Sequence, residues 1–111
     1  MTSKRTIQEI EPILPEIKSA LENIYGARLV EVILYGSFAR NTPTVDSDID
    51  IVAVLKGDVN PIKEIDRIYD VLYDLMLESG ELISVYPLSE EEMGNSVWPL
   101  YYHLRMEGIR I

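Results

Sequence analysis

The chain has 111 residues, no cysteine, a single histidine (His103) and a formal charge of −9. That length allows one modest core, and the absence of thiols excludes disulfides, thiolate metal sites and cysteine nucleophiles. The acidic balance argues against a long DNA or RNA partner, which needs clustered Lys and Arg; here no more than two basic residues adjoin, at Lys4-Arg5.

No apolar run approaches the roughly 18 residues of a membrane span, and no signal-peptide core opens the chain. The expectation is a cytoplasmic protein without a membrane anchor, forming a single domain over 1–111. Residues 1–5 read as a loose terminus. Thr6-Ile7-Gln8-Glu9 has capping-box form, but Pro12 and Pro15 speak against one continuous helix from Thr6. The main helix is expected from about Pro12, with Ile13, Leu14, Ile17, Leu21 and Ile24 on one face and Gly26 as its stop.

Residues 28–35 are apolar and β-branched enough for a strand running into a Gly36-Ser37 turn, with a short helical turn over 38–40. A second strand is expected over 48–55, apolar on both faces and so central, covered by helices. Asn60-Pro61 supplies a cap and first-turn proline for a helix that Gly80 stops. Its apolar face holds Ile62, Ile65, Ile68, Tyr69, Leu72, Leu75 and Met76, and its solvated face Glu64, Asp66, Asp70 and Asp74. A third strand is expected over 82–86, ended by Pro87. Ser89-Glu90-Glu91-Glu92 is a further capping box, and a last helix runs over 99–107 to Gly108. The sum is α+β: a small mixed β-sheet flanked by helices.

Two short segments carry the chemistry. Gly36-Ser37 ends one apolar run, and ten residues later Asp48-Ile49-Asp50 begins the next. Side chains alternate along a strand, so Asp48 and Asp50 are expected on one face, repelling each other unless a cation lies between them. That cation would be hard, Mg2+ or Mn2+, on oxygen ligands. The Gly36-Ser37 turn offers backbone N–H groups and a hydroxyl to a phosphate. Arg40 reads either as a third phosphate contact or as a surface charge paired with Asp46. Asn41 follows it, a residue that tolerates positive φ.

Together these residues resemble the minimal nucleotidyltransferase family of the DNA polymerase beta-like nucleotidyltransferase superfamily, whose pattern is Gly-Ser, about ten residues, then Asp-x-Asp. The stretch from Leu82 to Glu92 and the ending Met106-Glu107-Gly108-Ile109 also look like this group, so the resemblance covers roughly residues 28–111. It implies the polymerase beta-like fold, Asp48 and Asp50 as catalytic metal ligands, and Gly36, Ser37 and Arg40 as nucleotide contacts. It further implies an NTP substrate, ATP foremost, and transfer of a nucleoside monophosphate to a hydroxyl. The chain ends soon after its sheet, so the acceptor surface is expected from a second copy, as a homo-oligomer, or from another protein. The family suggests a HEPN-domain toxin, with this chain as antitoxin in a toxin-antitoxin system.

The sequence departs from the family at one position that matters. Active relatives carry a third carboxylate on a later strand, and the equivalent position here is Ser84, a neutral and weak ligand. Glu81 could replace it only if the chain bends. An alternative reading follows, that of a catalytically weak or inactive NTP-binding, toxin-neutralising module. A purely structural domain would leave Asp48 and Asp50 unexplained. His103 is expected to favour its helix end, and Trp98, Tyr101 and Tyr102 read as packing residues rather than base-stacking ones.

Overall fold

The computed structural model describes residues 5–94 and 99–111; Trp98 falls outside them. A first turn of helix, α1 (Ile7–Ile10), is followed by α2 (Leu14–Tyr25), with Pro15 in the first turn where its missing N–H is harmless. The break between them agrees with the two prolines. The chain then forms β1 (Leu29–Tyr35), the helical turn α3 (Gly36–Ala39), β2 (Ile49–Leu55) and the long helix α4 (Pro61–Ser79). It ends with β3 (Ile83–Ser89), α5 (Glu90–Met93), α6 (Pro99–Glu107) and the two-residue β4 (Ile109–Arg110).

The four strands form one mixed sheet in the order β3-β2-β1-β4. β1 runs antiparallel to β2 and β4, and β2 runs parallel to β3. β2 is central, and its alternating side chains enter two apolar clusters. Ile49, Ile51 and Ala53 pack with Ile17 and Leu21 of α2 and Ile68 and Leu72 of α4. Val52 and Val54 pack on the other face with Ile33, Leu88, Met93 of α5 and Leu104 of α6. Burial on both faces is the cause of the unbroken apolar run.

The caps at Asn60, Ser89 and Gly80 behave as the sequence predicts, whereas Thr6 precedes α1 without a side-chain cap bond. Asn60 accepts the Lys63 N–H at 3.4 Å, Ser89 accepts the Glu92 N–H at 3.0 Å, and Gly80 closes α4 in the left-handed region at φ 72°.

Five expectations are corrected. β3 does not stop at Pro87 but runs through it to Ser89. β3 is an edge strand, where the missing N–H breaks no ladder bond, and the outward N–H of Val85 donates to Tyr69 Oη at 3.1 Å. Asp48 lies just before β2 rather than within it. β4 was not foreseen. The terminus is not loose at Arg5, whose guanidinium is engaged on several sides, as described below. Finally, α4 exposes Ile62 and buries Glu64 at 6%. Glu64 shares an i, i+4 row with Ile68 and Leu72, so it faces the core side.

Glu64 is compensated there. It accepts a hydrogen bond from Tyr25 Oη at 3.3 Å and pairs with Arg67 at 3.5 Å and Arg28 at 4.0 Å. Both guanidiniums also lie over the Tyr25 ring. Burial, then the Glu64 charge, pushes the Tyr25 phenol up to about 12, so it stays a donor at any physiological pH. Tyr25→Phe removes the hydrogen bond that joins α2 to a buried carboxylate. Urea unfolding of that variant is expected to show a loss of about 1–2 kcal/mol.

Candidate active site

The site forms where the ends of β1 and β2 meet. The ladder sets Tyr35 opposite Asp50, and Gly36 follows as the chain turns into α3. Gly36 has φ 74°, a region that side chains other than glycine's rarely occupy. It also touches Asp50. A Cβ at Gly36 would overlap Asp50 Oδ2 and lie 3.1 Å from its Cγ. Two independent constraints therefore require glycine, and the second sets the turn directly against a carboxylate.

Asp50 is half-buried, and its carboxyl titrates above the ordinary range. Burial is the main cause, the Asp48 charge adds to it, and Arg40 opposes both. Among the described residues neither Asp48 nor Asp50 forms a salt bridge. Two carboxylates that repel each other and form no salt bridge suit a divalent cation. Mg2+ commonly takes one or two carboxylates and completes its shell with water and substrate phosphates, so the pair fits that ion. On its other side Asp50 is in register with Ser84 of β3. Paired residues of neighbouring strands share a face, so Ser84, where the family resemblance leads one to expect a third acid, neighbours Asp50 on the sheet. No group of three His, Asp or Glu suited to a metal occurs among the described residues.

Ser37 donates from Oγ to Ser47 Oγ at 2.9 Å, and Ser47 Oγ also accepts the Thr44 N–H at 2.8 Å. The loop carrying Asp48 is thus tied to the Gly36-Ser37 turn one residue before the carboxylate. Arg40 caps α3 through its N–H to the Gly36 carbonyl at 3.1 Å. It forms no ion pair with Asp46 among the described residues. Asn41 does take positive φ, 59°, as its residue type allows.

Beside Gly36 opens a cleft of about 320 Å3 lined by Tyr35, Gly36, Arg40, His103, Leu104 and Glu107. His103 Nδ1 lies 3.8 Å from Glu107 Oε1. The sequence reading missed that α6 brings these two groups to the cleft that Arg40 also lines. The residues are more than 60 positions apart in sequence, and no pattern links them. Tyr101 packs on the smaller apolar cluster and its phenol donates to Glu92 at 3.4 Å, while Tyr102 is exposed and meets the His103 ring edge-on. Glu81 is not turned toward the Asp pair; it is bound by Arg5.

Two outcomes follow. Gly36→Ala forces a strained φ and displaces Asp50, with an expected loss of about 1–3 kcal/mol in thermal unfolding. The Asp50 carboxyl has a folded pKa above its unfolded one, so its charge weakens the fold at neutral pH. That penalty disappears as pH falls through the folded pKa. Without metal, Asp50→Asn is therefore expected to be more stable than the parent near pH 7, by less than about 1 kcal/mol after solvent screening. Urea titrations should show the gap closing toward about pH 4.

The pattern describing the nucleotidyltransferase domain matches residues 14–93. A Methanocaldococcus jannaschii protein, provisionally named a protein adenylyltransferase, is 34% identical over 99 residues, covering 88% of this chain and 93% of that protein. A second protein of that organism with the same provisional name is 38% identical over 66 residues, 60% of this chain and 43% of the relative. A third is 32% identical over 75 residues, covering 62% and 75%. The crystal structure of a provisionally named nucleotidyltransferase from Sulfolobus solfataricus matches with a TM-score of 0.59 over 96% of this chain and 78% of that one. At 21% identity it bears on the fold alone, and agrees with a polymerase beta-like arrangement. Since the domain pattern spans most of the chain and one relative aligns along nearly its whole length, the chain belongs to the nucleotidyltransferase domain family, as a minimal nucleotidyltransferase enzyme.

Proposed function

We propose that this chain transfers AMP from magnesium-ATP to a hydroxyl group on a protein acceptor. The observation that carries the reading is the contact of Gly36 with Asp50, which joins a phosphate-binding turn to a carboxylate pair with no wasted space. The names of the three relatives support a protein as acceptor. A charge of −9 favours an acceptor with a basic face. A HEPN-domain toxin modified on a tyrosine hydroxyl, with this chain as its antitoxin, is the specific partner we propose.

Asp48 and Asp50 would hold the cation, which supplies charge neutralisation for the triphosphate and leaving group. The backbone N–H groups of Gly36 and Ser37, the Ser37 hydroxyl and Arg40 would receive phosphate oxygens. The Ser37 hydroxyl is free to exchange its present partner, Ser47, for a phosphate by rotating about one bond. In the transfer, the acceptor oxygen bonds to the α-phosphorus as the α–β phosphoanhydride bond breaks and pyrophosphate leaves. Ser84, in register with Asp50, offers no carboxylate to take the acceptor proton, which in this reading would leave to solvent.

The same Ser84 favours a second reading, an NTP-binding module that neutralises its partner by occlusion. A transfer assay with α-phosphate-labelled ATP and magnesium, in lysate of the source organism, separates the two. Label on a protein with the parent chain, and none with Asp48→Asn, is the expected result. Saturable magnesium-ATP binding without label on any macromolecule would select the binding module. Absence of magnesium-ATP binding would remove the site assignment. Ser84→Asp restores a base beside Asp50 and is expected to raise the transfer rate by about tenfold or more.

A further inference from the structure

Asp50 is fixed by the β1–β2 ladder, but Asp48 precedes the strand and has no ladder to hold it. A pair of ligands needs both members placed to within a fraction of an ångström. We infer that Arg5, which lies outside the matched domain, is the positioning residue that holds the Ser47-Asp48 backbone against the Gly36-Ser37 turn. This rests on the reading of Asp48 as a site residue.

One guanidinium joins four segments. Arg5 Nε pairs with Glu9 of α1 at 3.0 Å, and a second nitrogen pairs with Glu81 ahead of β3. The third nitrogen donates to the Ser47 carbonyl at 3.4 Å, on the peptide that leads into Asp48. Its face lies 5.1 Å from the centroid of Phe38, the residue after Ser37. The side chain is only 15% exposed, so these contacts are poorly screened by water. Ser47 is thereby held twice, by its hydroxyl to Ser37 and by its carbonyl to Arg5. Glu81 is held by Arg5 as well, which keeps this acid off the Asp pair. A lysine could satisfy one carboxylate, but it lacks the planar fork that serves three acceptors and an aromatic face at once.

The test is amide hydrogen exchange on the metal-free chain and its Arg5→Ala and Arg5→Lys variants. In Arg5→Ala, exchange at Thr44, Ser47 and Asp48 is expected to rise about tenfold, with β2 and α4 unchanged. Arg5→Lys is expected to recover the parent melting temperature but not the loop protection. Unchanged loop exchange in Arg5→Ala, a uniform rise across β2 and α4, or full recovery of protection by lysine would overturn the proposal. If Arg5→Ala does not fold, the lysine variant carries the exchange comparison alone. In a second arm, the magnesium concentration for half-maximal ATP binding should rise about tenfold in Arg5→Lys, and an unchanged value counts against the proposal. Failure of the parent chain to bind magnesium-ATP would strike at the proposed function instead, with the exchange arm still deciding the role of Arg5.

Discussion

Gly36 and Asp50 belong to neighbouring strand ends, and a Cβ at position 36 would overlap the Asp50 carboxylate where it now lies. This contact requires the ladder to bring Tyr35 opposite Asp50, so the β1–β2 register is fixed by the site as much as by the core. A slip of one residue would send Ile49 and Ile51 out of the larger apolar cluster and Asp50 into it. The apolar penalty and the charge penalty point the same way. The fold therefore specifies its register through the residues that give it chemistry.

The two sheet faces divide the remaining labour. One face is closed by α2 and α4 over a large core, and this is the rigid support for β2. Among the described residues, the other is covered by α5 and α6 over a smaller cluster, and the site opens at its margin. Asp50 lies on that thinner face, the face of Val52 and Val54. It is buried enough to raise its pKa and is still partly exposed, next to the Gly36 that lines the cleft. A deeper position would suppress ionisation, and a fully exposed one would lose the field that draws a cation.

Much of this was legible because it is local. Caps at Asn60 and Ser89, the stop at Gly80, and the spacing of Gly36-Ser37 from Asp48 and Asp50 depend on neighbours within a few residues. The Ser84 register beside Asp50 was also reachable, from strand alternation and family likeness. The misses are long-range. Glu64 was assigned to solvent although its four-residue spacing from Ile68 and Leu72 was a usable signal; its partners Tyr25, Arg28 and Arg67 could not be read from the chain. Nor could the shared cleft of His103 and Arg40, or the bond of Arg5 to Ser47, since each joins segments about 40 or more residues apart. β4 needs only two residues and the open edge of β1, too little for a pattern.

Pro87 and Tyr69 have a consequence for assembly. Along the outer edge of β3, Val85 and Pro87 point the same way. One N–H is already taken by a phenol and the other is absent. An incoming strand would find no run of donors there, so that side of the sheet resists extension by a stranger's backbone. Contacts made at this side of the sheet therefore fall to side chains, whose identities can be selected, rather than to main-chain pairing, which accepts almost any sequence.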